Sequence, residues 1–377
     1  MKRLLVLVPG YLPGFKSGGP VRTIANMVEA LGDEFDFSVV CLDRDLGDNA
    51  SYDSICVGKW NQVGKAKVFY IRTGLLGVFD LLKILRNYKF DLIHLNSFLS
   101  FKFSILPVIV NNIFGLRVPI ILGPRGEFSE GALAFKSAKK NIFISLVKKI
   151  GLYRNIVWHA SSAYEAADIR RVMGDCVSIK QAIDIAKFED KIKFSERSEG
   201  FPLKVVFISR ISPKKNLLGS LQVLSAVHSD IIFDVYGPIE DIAYWEECMR
   251  FTANLPLNIK FKYSGLLAPS DVVETLSKYD LFFFPTLGEN FGHVIAEAFF
   301  AGLPVLISDT TPWRNLYEKG VGWDVSLGKT QIFVECIEDC CQKSPSEYSA
   351  WRSKIRDWAV QNISNEEAIE ESRRLFN

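Results

Sequence analysis

The chain has 377 residues, 48% of them hydrophobic and 23% charged, with a formal net charge of +2. That length exceeds one ordinary core and suits two domains of about 150 to 200 residues, and the composition excludes a disordered chain. The near-neutral balance argues against a general nucleic-acid binder, although residues 1–182 carry 24 Lys and Arg against 15 Asp and Glu, whereas residues 183–377 carry 21 against 28.

Met1-Lys2-Arg3 and the apolar run Leu4 to Val8 look briefly like an export signal. The run stops at Pro9-Gly10 and no small-residue cleavage site follows, so a first buried strand is expected instead. Further strands are expected at 37–42, 68–71, 92–95, 120–122 and 156–159, with helices near 21–31, 76–87, 98–113, 136–150 and 163–173. A charged, pattern-poor stretch over 184–201 then precedes a second series. Its strands are expected at 203–208, 231–236, 259–263, 281–284 and 305–307, with helices near 215–227, 240–252, 270–278 and 291–301. Helical periodicity around Trp351, Ile355, Trp358 and Ala359 is followed by a break and a last helical segment, 366–376. The fold class is therefore α/β, with two parallel, doubly wound units in succession. No stretch of about 18 apolar residues occurs, so no membrane span is expected. The seven cysteines are scattered without a Cys-x-x-Cys pair, which favours reduced thiols in a cytoplasmic protein and no metal site.

Several strand ends carry candidate chemistry. After strand 203–208 comes Ser209-Arg210-Ile211-Ser212-Pro213-Lys214-Lys215-Asn216, opening a helix. A diphosphate there would meet a helix N-terminus, a planar guanidinium and an ammonium. After strand 281–284 come Glu289-Asn290-Phe291-Gly292 and, within the next helix, Glu297. Carboxylates in that place can each accept a pair of sugar hydroxyls; helix surfaces also carry ordinary glutamates. Gly18-Gly19 ends the first βα turn and permits close approach of a ligand to backbone. His94 closes strand 92–95, where a satisfied polar residue is as natural as a functional one. Arg125, in the loop after strand 120–122, has three possible partners: an acceptor hydroxyl, a phosphate, or the carboxylates of Glu127 and Glu130. Lys136, Lys139, Lys140, Lys148 and Lys149 interleave with apolar residues, which suits either a helix on an anionic membrane or a core helix with a solvated lysine face. Asp43-Arg44-Asp45 is a solvated loop on this reading, and no metal requirement is inferred from it.

The string Glu289-Asn290-Phe291-Gly292, then Glu297-Ala298 and Gly302-Leu303-Pro304-Val305, resembles the donor-binding motif of the retaining glycosyltransferases of family 4, also called glycosyl transferases group 1. That motif has two Glu separated by seven residues; Asn290 departs from it, since Gly is frequent there. Arg210 and Lys215 fall on the family's phosphate-binding cations, and the string Gly123-Pro124-Arg125-Gly126 resembles members that build bacterial surface polysaccharides.

The resemblance implies the GT-B fold: two Rossmann-like domains facing across a cleft, 1–183 for the acceptor and 184–359 for the nucleotide sugar, with a C-terminal helix at about 360–377 crossing back to the first. It implies catalytic roles for Glu289, His94, Arg210 and Lys215, with His94 facing the donor sugar. Donor contacts are implied for Gly18, Gly19, Gly237, Leu267, Asn290, Phe291, Gly292 and Glu297, with acceptor contact at Arg125. It implies a nucleoside diphosphate sugar as donor, no cofactor, no metal requirement, and a glycan or lipid-linked glycan as acceptor. Peripheral contact with the inner face of the plasma membrane would follow. Two other readings keep the architecture: a nucleotide-sugar epimerase, and a catalytically silent partner subunit.

Overall fold

In β1 (Lys2–Leu7) successive side chains alternate between two apolar cores, Leu5 and Leu7 facing one and Leu4 and Val6 the other. A strand buried on both faces has to be apolar throughout, so it reads as an unbroken run. The structure is a computed structural model that describes residues 1–134, 137–186, 197, 200–363 and 365–377. The chain divides into two units, Met1–Ile185 with Asn365–Asn377, and Ala186–Ser364.

In the first unit β1 is followed by α1 (Gly19–Leu31), β2 (Phe35–Leu42), β3 (Trp60–Val63), β4 (Ala66–Ile71), α2 (Gly74–Asn87) and β5 (Leu92–Leu95). A π-helical turn, Phe101–Ile105, then leads into α3 (Leu106–Ile113), followed by β6 (Ile120–Leu122), α4 (Glu130–Ala134), α5 (Ser137–Lys149), β7 (Val157–Ala160), α6 (Ala163–Met173) and β8 (Ser178–Gln181). The sheet order is β3-β4-β2-β1-β5-β6-β7-β8, parallel except where β3 meets β4. Helices α2, α3, α5 and α6 bury apolar residues in one core, while α1 lies in the other.

The second unit runs β9 (Leu203–Ile208), α7 (Leu217–Leu224), β10 (Ile231–Tyr236), α8 (Ile242–Thr252), β11 (Ile259–Gly265), α9 (Val272–Leu276), β12 (Leu281–Phe284) and α10 (His293–Phe300). It continues with β13 (Val305–Ser308), α11 (Leu316–Lys319), β14 (Gly322–Val325), α12 (Thr330–Gln342) and α13 (Pro345–Asn362). Its six strands are parallel in the order β11-β10-β9-β12-β13-β14. The order reverses between β9 and β12, the place where open parallel sheets leave a crevice at their carboxyl ends.

The last helix, α14 (Asn365–Phe376), returns to the first unit. The Phe376 ring packs edge-on against Phe35, Phe37 and His94, and Lys180 Nζ donates to Arg374 O at 3.0 Å.

Three strands were not expected from the sequence. β3 and β8 are short, largely solvent-facing strands at sheet edges, and β14 is a four-residue edge strand beginning at Gly322, so none carries an apolar run. The helix expected over 98–113 is a π-turn plus α3, and Lys136 of the helix expected over 136–150 lies outside the described residues. The described cysteines are all free; Cys336 and Cys340 are buried one turn apart on α12, and burial pushes both thiols up. No helix among the described residues is long and apolar enough to cross a membrane.

Candidate active site

In the second unit the loops after β9 and β12 converge because those strands are neighbours although 78 residues separate their starts in the chain. Asn216 takes a left-handed conformation (φ 60°) and caps α7 by accepting from Gly219 N, while its amide donates to Pro285 O at 2.8 Å. Leu287 N donates to Lys214 O at 2.8 Å. A third loop joins, since Thr310 Oγ1 donates to Thr286 O at 2.8 Å. The carbonyls of Lys214, Pro285 and Thr286 and the amide of Leu287, all in irregular backbone, are satisfied by this cross-stitching.

The stitched loops bring Lys215 and Glu289 into an ion pair, with both side chains nearly buried. Lys215 also lies over the Phe284 ring, 5.6 Å from its centre, a cation–π contact that fixes the ammonium from below. Arg210, which follows β9, donates through Nη1 to both oxygens of Glu240, each at 2.8 Å, and remains partly exposed. Glu240 is a partner that sequence reading missed: it lies 30 residues away, beyond the next strand.

Gly237, after β10, has φ 133°, and a Cβ there would stand 1.8 Å from Ser209 O. Its N–H donates to Gly265 O at 2.8 Å, which ties the β10 and β11 loops together beside Leu267. Leu267 is half-buried in the second of these loops. Gly292 caps α10 at φ 79°, the left-handed region that favours glycine. Phe291 is held edge-on by His293 and beside Trp313, whose indole N–H donates to Phe291 O at 2.6 Å. Asn290 Oδ1 is buried without a hydrogen-bond partner among the described residues. Glu297 lies one turn into α10, half-buried. Arg210, Lys215, Gly237, Leu267, Glu289, Asn290, Phe291, Gly292 and Glu297 therefore all lie in the second unit, on or just beyond the carboxyl ends of four of its strands.

The remaining candidates lie in the first unit. Gly18 has φ 72° at the start of α1, and the position of a Cβ on Gly19 is open, so the turn presents bare backbone. Asp45 holds this turn: its Oδ2 accepts from Phe15 N at 2.7 Å and Lys16 N at 3.0 Å, and its Oδ1 from Leu46 N at 2.8 Å. The Asp43-Arg44-Asp45 string is thus not a solvated loop, since Asp43 and Asp45 are 3% and 6% exposed. The Asp45 carboxylate is consumed in shaping backbone and that of Asp43 in pairing with Arg44 Nε at 2.8 Å, uses that a charge string cannot reveal.

His94 is fully buried between the rings of His159 and Phe376. The Ala182 carbonyl at 3.0 Å can only accept, so His159 carries its proton on Nε2 and its Nδ1 accepts. His94 Nε2 approaches that Nδ1 at 3.3 Å and is its donor, leaving His94 Nδ1 an unpartnered acceptor among the described residues. Burial, with Arg125 close by, pushes His159 down to about 3, and burial with His159 beside it holds His94 well below its ordinary value. Both rings are therefore neutral. As the structure stands, His94 belongs to a buried network, and its ring is enclosed by His159 and Phe376.

Arg125 belongs to the same network. Its guanidinium pairs with Asp184 at 3.1 Å and donates to Asn96 Oδ1 at 2.7 and 3.0 Å, with both charged side chains 5% exposed or less. Asp184 in turn accepts from Thr23 Oγ1 of α1 at 2.7 Å. Neither Glu127 nor Glu130 is the partner; Glu127 instead accepts from Ser97 Oγ and from the amides of Phe98 and Leu99. In this structure the Arg125 fork is held by partners inside the protein, Asp184 and Asn96.

Residues 188–358 match the family model Glycosyl transferases group 1. No curated protein matches the sequence. Among solved structures, sucrose-phosphate synthase from Thermosynechococcus elongatus superposes with a TM-score of 0.73 at 14% identity, over 100% of this chain and 98% of that one. Anabaena HepE in complex with UDP and glucose gives 0.69 at 16% identity with the same coverage. WaaG, a glycosyltransferase involved in lipopolysaccharide biosynthesis, gives 0.65 at 13% identity over 99% and 98%. The fold is the GT-B fold of these proteins, the second unit contains a group 1 glycosyltransferase domain, and the chain is a glycosyltransferase.

Proposed function

We propose that the chain moves a sugar from a nucleoside diphosphate sugar to a hydroxyl acceptor with retention of anomeric configuration. The observation that carries this is the convergence of Lys215, Glu289 and the amide-rich turn Asn290–Gly292 at the strand-order reversal of the second sheet. The Lys215 ammonium would neutralise the departing diphosphate, assisted by Arg210 once the nucleotide competes with Glu240. Glu289 would accept hydroxyl hydrogens of the transferred sugar, and Glu297 those of the ribose. The resting Lys215–Glu289 pair keeps both charges compensated until substrate enters.

In the step itself, the C1–O bond to the diphosphate breaks with its electron pair going to the leaving oxygen. The acceptor oxygen bonds to C1 on the same face, and its proton passes to the departing phosphate. Paired cations at the diphosphate supply what a divalent metal supplies elsewhere, so no metal requirement is proposed. HepE, seen with UDP and glucose, and WaaG, described as acting in lipopolysaccharide biosynthesis, support a uridine-type donor and a lipid-linked oligosaccharide acceptor of bacterial surface-polysaccharide synthesis. The protein would then work at the cytoplasmic side of the membrane.

The test is nucleoside diphosphate release from UDP-, GDP- and ADP-sugars, with and without a bacterial membrane lipid extract. Release from one donor that rises with the extract is expected. Donor-sugar epimerisation without an acceptor, or no nucleotide-sugar binding at all, would replace this reading with the epimerase or the silent subunit.

A further inference from the structure

At the edge of the second sheet a groove of about 730 Å³ opens among α11, β14, α12 and the start of α13. That volume falls within the range of about 300–1,000 Å³ usual for small-ligand sites. Part of its lining is aromatic, with Tyr317 of α11, Trp323 of β14 and Trp351 of α13. Another part is a stripe of α12, where Ile332, Glu335 and Asp339 recur at i, i+3 and i+7 and Lys343 follows at the C-cap. Gly322 opens β14, so the groove lies beside the amino end of that edge strand. Lys215 and Glu289 stand instead on loops that leave the carboxyl ends of β9 and β12, so this is a separate place.

Packing alone leaves the open part of the aromatic lining unexplained. Helix α13 is already anchored by the buried Arg352, whose guanidinium donates to Ser277 O at 2.8 Å and Tyr279 O at 3.1 Å. The Trp351 indole N–H donates to Gly320 O at 2.7 Å, and Trp323 stands edge-on to that ring with centres 5.5 Å apart. Both indoles are thus fixed in orientation yet only half-buried, and Tyr317 is 72% exposed. Clustered aromatic surface that stays in contact with water marks a binding place.

The polar groups decide the ligand. Lys343 Nζ lies 5.4 Å from the centre of the Trp351 ring and pairs with Asp339 at 2.8 Å, so the cation site over this indole is filled by the chain itself. Glu347 is engaged in the capping box with Ser344. A cationic ligand would therefore meet Lys343 as a like charge. What the groove offers is flat ring surface beside the exposed Glu335 and the Asp339–Lys343 pair. A pyranose complements that surface, because its C–H face is apolar and its hydroxyls donate to carboxylates and accept from an ammonium.

We propose that this groove is a second carbohydrate site, which holds a neutral oligosaccharide away from the catalytic loops. For its purpose it rests on the proposed sugar transfer, since a glycan held here would raise the local concentration of glycan at the enzyme.

The test is electrophoresis of the full chain through native gels cast with dextran, mannan or galactan, with tryptophan fluorescence titrations against the matching oligosaccharides. Retardation in at least one gel, with quenching, is expected. Tyr317→Ala, Trp323→Ala and Glu335→Ala should each weaken binding roughly 5-fold or more. Tyr317 and Glu335 are exposed, so these two variants keep the test open if Trp323→Ala misfolds by circular dichroism. Lys215→Ala should bind the glycans like wild type, and Tyr317→Ala should bind nucleotide sugar like wild type in calorimetry, so the two readings fail separately. No retardation in any gel, or glycan binding that survives all three groove variants, would overturn the proposal. So would poly-lysine binding that Glu335→Ala abolishes in the absence of glycan binding, or a dimer in sedimentation that Tyr317→Ala dissociates.

Discussion

Lys215 and Glu289 meet where the second sheet reverses its strand order, one on the loop after β9 and the other on the loop after β12. The pair is nearly buried, so each charge depends on its partner, and the Phe284 ring closes the space beneath the ammonium. Lys215→Ala should therefore leave a carboxylate without compensation and remove the cation proposed for the diphosphate. Turnover should fall by a factor of about 100 or more, while Lys215→Arg restores part of it and far-ultraviolet dichroism stays native. A Lys215→Ala enzyme with unaltered nucleotide release would take this pair out of the chemistry.

The Arg125–Asp184 pair is the structural counterpart in the first unit, more deeply enclosed and joined to Asn96, Thr23 and His159. Removing one partner of a buried pair strands the other, at a typical cost of about 3–5 kcal/mol. Arg125→Ala and Asp184→Ala should each lower the unfolding free energy read from urea titration by an amount of that order, and the double variant should cost less than the two losses added. Purely additive losses would show that the two side chains are not coupled, and a stable Arg125→Ala protein with raised acceptor KM would return Arg125 to substrate binding.

These two pairs also mark how far the sequence can be read. The apolar runs of β1, β9 and β12 announce themselves because both faces are buried, and Arg210 and Lys215 stand out as cations between a strand and a helix. Partner choice is different, because Arg125 and Asp184 are 59 residues apart, and His94 and His159 are 65 apart. Periodicity carries no information about such separations, so it pairs neither Arg125 with Asp184 nor His94 with His159. A second histidine in the equivalent strand, Val157-Trp158-His159-Ala160, was the available hint that the two might pack together. Asp45 was hidden in the same way: the amides it accepts from belong to a turn about 30 residues earlier.

Gly237 tests the donor loops without touching a charge. Its φ of 133° strains any other residue, and a Cβ would meet the Ser209 carbonyl at 1.8 Å, in backbone tied to the end of β10 by Ser209 N donating to Tyr236 O. Gly237→Ala should cost about 2 kcal/mol or more in stability and weaken nucleotide-sugar binding in calorimetry, because the Ser209–Arg210 backbone must move. Gly19→Ala is the contrast: the Cβ position is open, so stability should change by less than about 1 kcal/mol. Equal losses for the two substitutions would contradict the local geometry.

The neutral His94–His159 pair sets a pH dependence whose sign follows from burial. Both rings resist protonation in the folded protein, His159 down to about 3, whereas in the unfolded chain they protonate near the ordinary histidine value of about 6.5. The unfolded state therefore binds more protons below that value, and the stabilisation present above it is lost as pH falls from about 6.5 towards 3. Each ring contributes a slope approaching about 1.4 kcal/mol per pH unit well inside that window. Glu127 and Glu165 act in the opposite sense, since burial raises both and favours the fold at low pH. Comparison of wild type with His159→Gln isolates the histidine: urea midpoints measured from pH 7.5 to 4.5 should fall less steeply in the variant, by close to one proton. Parallel pH profiles for the two proteins would mean that His159 is already protonated in the fold, and that the carbonyl-anchored tautomer assigned to it is wrong.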